Sequence, residues 1–284
     1  MAINVRTNVA AGGALGDLNK TTRALGRSFE RISSGLRIAR AADDAAGLGV
    51  AENLRAAHTS ATVAARNIND GLSAISVAEG ATNEVANILI RMRELAVQGS
   101  NGTLGTTERG YIKTELTSLF QEIDRIGNAT QFNGVALTDT DNALDIQVGI
   151  GDDATVDVVA VSFEDITNAG FASLDTAMTS FDAIAVTALD ESSFSDLLQD
   201  IDDALDVANT ARAQYGAAEN RLNSALNSIE TFGEATRAAE SSVRDADFGY
   251  ETAQLSANQI LQQAGTTVLA QAKNINQSAL SLLQ

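Results

Sequence analysis

Asp43 and Asp44 are the first residues to invite a chemical reading, because two adjacent carboxylates can serve as general acid and general base. The chain gives them nothing to work with. It has one histidine (His58), no cysteine, and as lysines only Lys20, Lys113 and Lys273, so a serine nucleophile would lack its base. His58 alone cannot build a zinc site and reads as a surface residue. Asp139, Thr140, Asp141 and Asp145 resemble the start of a calcium loop. That loop would continue with an oxygen-bearing side chain and a glycine, where this chain has Ala143 and Leu144. There is no Walker-type phosphate loop, no HExxH, and no G-x-G-x-x-G opening a helix after a strand. The residues point away from an enzyme and call for no metal and no cofactor. One of the paired aspartates is better used as a helix cap after the break at Ser33-Ser34-Gly35.

The elements around these residues carry more information. Ala11, Leu15, Leu18, Thr22, Leu25, Phe29, Ile32 and Leu36 recur at steps of four and three, the repeat of a helix with one apolar seam. Ala257, Leu261, Ala264, Val268, Ala272, Ile275, Ala279 and Leu282 form a second such stripe at the other end. A helix with so narrow an apolar side is marginal alone. The two ends are therefore expected to lie side by side, with further copies of the chain completing their burial.

Between them, apolar residues from Ala61 to Ala96 and from Ile112 to Ile126 predict two more helices, ended by Gly99 to Gly102 and by Gly127-Asn128. Leu144, Ile146, Val148 and Ile150 alternate with polar residues, and Thr155–Val161 returns after a Gly151-Asp152-Asp153 turn: a β-hairpin. A helical pattern through Leu198, Ile201, Leu205, Ala208, Tyr215, Leu222, Leu226 and Ile229 runs on to about residue 243, with Arg212 and Glu219 at two seam positions. Residues 162–194 show no period and are expected to be a short, variable surface connection. The fold class is mainly α, with long antiparallel helices and a hairpin in the middle, a rod more than a globule. The expected division is an inner domain of 1–43 with 245–284, and an outer domain of 44–161 with 195–244.

Composition agrees with long helices. Proline, which interrupts them, is absent, as are cysteine and tryptophan. Net charge is −18, and residues 139–211 hold 17 acidic side chains and no Lys or Arg. Nucleic-acid binding needs the opposite sign; this stretch reads as a solvated, self-repelling surface. The first residues hold no signal-type apolar core, and no apolar run is long enough to span a membrane. A cytoplasmic protein, or one exported without a cleaved signal, is expected.

Several long blocks, LGRSFERISSGLRIARAADDAAG from Leu25, RNINDG from Arg66, LIRMRELAVQGSNG from Leu89 and EIDRIGNATQFNGVAL from Glu122, resemble bacterial flagellin. So do ENRLNS from Glu219, ILQQAGTTVLAQA from Ile260 and Ser281-Leu282-Leu283, in the family's order. The resemblance covers roughly 1–160 and 195–284. It implies a flagellar filament subunit for swimming motility, a helical homopolymer that is secreted unfolded and assembled at the tip, with its termini lining a central channel.

Leu18, Leu25, Phe29, Ile32, Leu36, Leu261, Val268, Ile275 and Leu282 would then serve subunit packing. Partners implied are other copies of the chain, an export chaperone on the C-terminal helix, and the cap and hook-associated junction proteins. A vertebrate flagellin-sensing Toll-like receptor would read Arg91, Leu95 and Glu115. No nucleic acid or membrane is implied. A hook–filament junction protein and a cytoplasmic coiled-coil scaffold are the alternatives.

Overall fold

The computed structural model describes residues 8–139 and 142–281, with the backbone alone for 275–281. Asn8 opens helix α1 (Val9–Ser34) by accepting the Ala11 amide on Oδ1 at 2.9 Å. Gly35 closes it at φ +72°, donating its amide to the Arg31 carbonyl. Asp44, not Asp43, caps α2 (Ala45–Gly99), accepting the Gly47 amide at 2.9 Å. Then come α3 (Thr106–Ala129), a short hairpin of β1 (Gln131–Phe132) and β2 (Val135–Ala136), and a longer one of β3 (Asn142–Gln147) and β4 (Val158–Phe163). Helices α4 (Ala172–Ala183), α5 (Glu191–Arg244) and α6 (Phe248–Ser281) complete the chain. Without proline, α2 and α5 run unbroken for 55 and 54 residues.

Contacts divide the chain into two units, residues 1–58 with 234–284 and residues 59–233, so the division falls inside α2 and α5 rather than at the helix breaks. In the first unit α1 and α6 pack antiparallel: Asn8 reaches the Ala272 carbonyl and Arg31 reaches Glu251. The two helix breaks are hydrogen-bonded to each other, Arg37 N donating to Arg244 O at 2.7 Å and Ala246 N to Gly35 O at 2.9 Å.

The second unit has two apolar cores. In one, Ile68, Ile75 and Ala78 of α2 meet Ile146, Val159, Val161 and Phe163 of the hairpin and Tyr215 and Leu222 of α5. The strands pair Leu144 with Val161 and Ile146 with Val159. The ladder is shorter than the sequence suggests. The Asp157 carbonyl accepts both the Val148 and Gly149 amides, which ends regular pairing and turns 150–157 into the connection. Gly71 lets Ile146 lie directly on α2, where any side chain would collide.

The other core corrects the reading of 162–194. This stretch is no surface connection: Ile166, Phe171, Leu174, Met178, Phe181 and Leu189 are buried, packed with Leu89, Met92 and Leu116 of α2 and α3 and Phe194 of α5. Phe181 and Phe194 meet edge to face, centroids 4.9 Å apart. Two cations from α3 close the ends of neighbouring helices. Arg109 donates to the carbonyls of Gly99 and Asn101, and Lys113 to those of Asp182 and Ile184 at 2.8 and 2.7 Å.

On α5 the buried line takes Ala204, Ala211 and Ala218, one residue before the seam positions Leu205, Arg212 and Glu219. Small alanines let the helix sit close, which turns Arg212 and Glu219 to solvent.

Candidate functional site

The residues that suggested chemistry in the sequence are occupied structurally. Asp44 caps α2, and Asp43 accepts the Arg40 amide and lies 4.0 Å from Arg31. His58 lies partly exposed on α2. Among the described residues no three His, Cys, Asp or Glu side chains converge as metal ligands. Thr140 and Asp141 lie outside them. A groove of about 380 Å³ at the hairpin end, lined by Val148, Ile150, Val156, Ile229 and Phe232, holds one carboxylate, Asp157, which already accepts the Asp153 amide.

Arg91, Leu95 and Glu115 do not form one exposed face. Arg91 Nη2 lies 2.8 Å from Glu115 Oε1 and Nη1 3.1 Å from Glu94 Oε2, all half-exposed at the surface. Glu115, then Glu94, holds the guanidinium even more firmly charged than usual. Leu95 is 2% exposed. One residue per 100° of helix turns Met92, Leu95, Ala96 and Gly99 into the core and leaves Ile90, Arg91, Glu94 and Val97 outside.

The terminal pair is the larger surprise. Along α1 the side toward α6 is Ala11, Ala14, Leu18, Thr21, Leu25, Ser28 and Ile32. Leu15, Thr22 and Phe29 of the expected seam lie outside it, Phe29 at 66% exposure. On α6 the buried side is Glu251, Leu255, Asn258, Gln262, Gly265, Leu269 and Ala272. Leu261 and Val268 are 56% and 57% exposed, and of the expected stripe only Ala272 is buried among the described side chains. The reason is close approach. A Cβ placed on Gly265 would stand 3.3 Å from Leu18 Cδ1, so the helices meet where α6 has no side chain. Leu36 is half-buried at the break, where it pairs with Asp245. The Ile275 side chain and all of Leu282 lie outside the described residues.

Residues 5–143 match the family model described as the bacterial flagellin N-terminal helical region, and 198–283 match that of the C-terminal helical region. The flagellin of Bacillus subtilis is 36% identical over 306 residues, covering 99% of this chain and 100% of that one. The flagellin of Halalkalibacterium halodurans is 37% identical over 259 residues, 91% of each chain. The chain belongs to the flagellin family. Flagellin is a structural family, so this is a flagellar filament component and not an enzyme.

A solved Vibrio parahaemolyticus protein, described as flagellar hook-associated, shares the fold at TM-score 0.58 and 18% identity, over 72% of this chain and 100% of that one. Residues 144–197, between the two flagellin matches, hold most of β3, all of β4 and α4. Among the described residues no helix is long and apolar enough to cross a membrane.

Proposed function

We propose that this flagellin polymerises by covering the outward lines of α1 and α6, Leu15 and Phe29 on one helix and Leu261 and Val268 on the other, with neighbouring copies. One observation carries the reading: two paired, capped helices leave bulky apolar side chains in water, Leu15 and Phe29 two heptads apart on α1 and Leu261 and Val268 one heptad apart on α6. A soluble chain has no use for such lines unless something covers them. Leu18, Leu25 and Ile32 then hold the pair together, and Phe29, Leu261 and Val268 hold copies together. Export to the cell exterior, tip assembly under a cap, contact with hook-associated junction proteins, chaperone binding on α6, and swimming motility follow from the same reading.

The test is seeded growth. Purified chain added to short fibres should extend them into long filaments. A chain that stays dispersed at every concentration and salt level would end the proposal. A junction protein would block the seed ends without extending them, and a cytoplasmic scaffold would remain a small fixed oligomer.

For the host receptor, the supporting feature is narrower than the motif. Arg91 and Glu115 form a surface ion pair flanked by exposed Ile90 and Val97, while Leu95 shapes α2 from beneath. In receptor-reporter cells Arg91→Ala should lower the response to dispersed protein. No response to the unaltered chain at saturating dose removes this partner.

A further inference from the structure

The face on which α1 and α6 meet is poor in information. Moving either helix by seven residues sets Leu18 where Leu25 was, Thr21 where Ser28 was, or Gly265 where Ala272 was. Along α1 apolar replaces apolar at these positions and small replaces small, and on α6 Gln262, which would trade places with Leu255 or Leu269, marks the packing, so packing resists a slip weakly.

Such a slip would break the Asn8–Ala272 bond and the backbone bonds between the two helix breaks, and among side-chain pairs it would break one buried ion pair. Glu251 is the only acidic residue of α6, its side chain is 5% exposed, and its Oε1 lies 3.0 Å from Arg31 Nη1. Arg31 sits in the last turn of α1 and Glu251 in the first turn of α6, so each charge also faces the favourable end of its own helix dipole. Asp43, 4.0 Å from Arg31 Nη2, and Arg27, lining the same groove, are the other charges there. A seven-residue slip would place Ala24 or the chain beyond α1 opposite Glu251 and leave a buried carboxylate unpaired, which is strongly unfavourable.

We infer that the Arg31–Glu251 pair helps set the register of α1 against α6, and so fixes which outward residues of α1 lie level with which outward residues of α6 for a second copy. Its bearing on assembly rests on the filament reading; the register does not. Buried charges are weak stabilisers beside well-packed apolar residues of similar size, and their best-attested use is choosing one register among several.

The chain has no cysteine, which makes register directly readable by disulfide formation. A Cβ on Gly265 would lie 3.9 Å from Leu18 Cβ, inside the span of about 3.5–4.5 Å that a disulfide needs. Leu18→Cys with Gly265→Cys reports the observed register. Leu18→Cys with Asn258→Cys or Ala272→Cys reports a slip of one heptad either way. Closure is read after mild oxidation, in dilute chain and in seeded fibres.

With Arg31 and Glu251 intact, the 18–265 bond should close and the other two should not. With Arg31→Leu and Glu251→Leu together, helix content should be kept while 18–265 closure falls severalfold and a slipped pair rises. Glu251→Gln alone should also lower 18–265 closure. Arg40→Ala, which removes the exposed Arg40–Glu30 pair, should change nothing.

Equal 18–265 closure in the double-leucine chain, an equal loss in Arg40→Ala, or no closure in either state of the unaltered chain overturns the inference. If the unaltered chain closes 18–265 but never grows fibres, the filament reading fails and the register stands. If it grows fibres with closure indifferent to Arg31 and Glu251, only the register inference fails.

Discussion

Gly99 and Arg109 show how much of the second unit depends on single residues that carry no obvious motif. A methyl group on Gly99 would stand 2.5 Å from Cγ of Phe194, a ring with no exposed surface and no room to move. Gly99→Ala should therefore destabilise this unit by about 1–3 kcal/mol through overpacking, seen as a lower thermal midpoint. Arg109 is 7% exposed and gives hydrogen bonds to Gly99 O, Asn101 O and Glu191 Oε1 at 3.1–3.2 Å. Arg109→Met keeps the stem but strands those carbonyls, and should cost about 1.5–3 kcal/mol in denaturant unfolding.

Asp190 makes a prediction of a different kind. Hydrogen bonds from Ser193, side chain and then backbone, and from Ser192 hold its carboxyl down from 3.8 to about 2. The folded value lies below the unfolded one, so its contribution is fully present above about pH 4 and is lost as pH falls through 2. Carbon-detected NMR titration should find Asp190 ionised at pH 3; a midpoint near 4 would contradict the geometry. None of the three was legible in the sequence. Glycines, arginines and aspartates reveal their roles only once their neighbours across the fold are known.

At the scale of elements, what the sequence supplied was the kind and order of helices, and what it hid was their rotation. The helices near residues 9–34, 106–129, 191–244 and 248–281, the cap among Asp43 and Asp44, and the hairpin strands were all readable from period and punctuation. On α5 the line of Ile201, Ala208, Tyr215, Leu222 and Ile229 is buried as read, and only alternate positions moved back by one residue, to Ala204, Ala211 and Ala218; on α6 the buried face was misplaced. A three-and-four step pattern in Ala, Ser, Gln and Leu admits two adjacent lines, and a small residue such as Gly265 or Ala211 can win by permitting closer approach. The β1–β2 turn was missed although Asn133-Gly134 signals it, both residues having positive φ, +49° and +80°. Helix α4 was missed although Phe171, Leu174, Met178 and Phe181 stand at steps of three, four and three; the Asp, Ser and Thr between them dilute that pattern, and contact with α3 and α5 shows which side it buries. If α4 belongs to the core, Phe181→Ala should cost about 3–5 kcal/mol and raise hydrogen exchange in α3 and in the start of α5. A change confined to α4 itself would return the segment to the role of a loose connection.

For the whole molecule, the arithmetic of charge opposes the polymer that the apolar lines favour. Residues 59–233 carry 27 acidic and 8 basic side chains, against 10 and 11 in the remainder. Copies brought together by α1 and α6 also bring these acidic units together. Repulsion between them reaches about 30 Å at 0.01 M salt and about 10 Å at 0.1 M. Seeded growth should therefore be slow in dilute buffer and quicken steeply as sodium chloride rises through 0.1 M by roughly an order of magnitude. Salt also favours apolar burial, so a second variant is needed to separate the two forces. Leu261→Asp puts a charge on the outward line of α6 and removes a contact worth about 1.5–3 kcal/mol, roughly 10–100-fold in the concentration needed for growth. Growth of this variant should fail where the unaltered chain extends seeds, sodium chloride should not restore it, and unfolding of residues 59–233 should be unchanged. If salt alone rescues Leu261→Asp, charge on the acidic unit governs assembly and the apolar lines of the terminal helices do not.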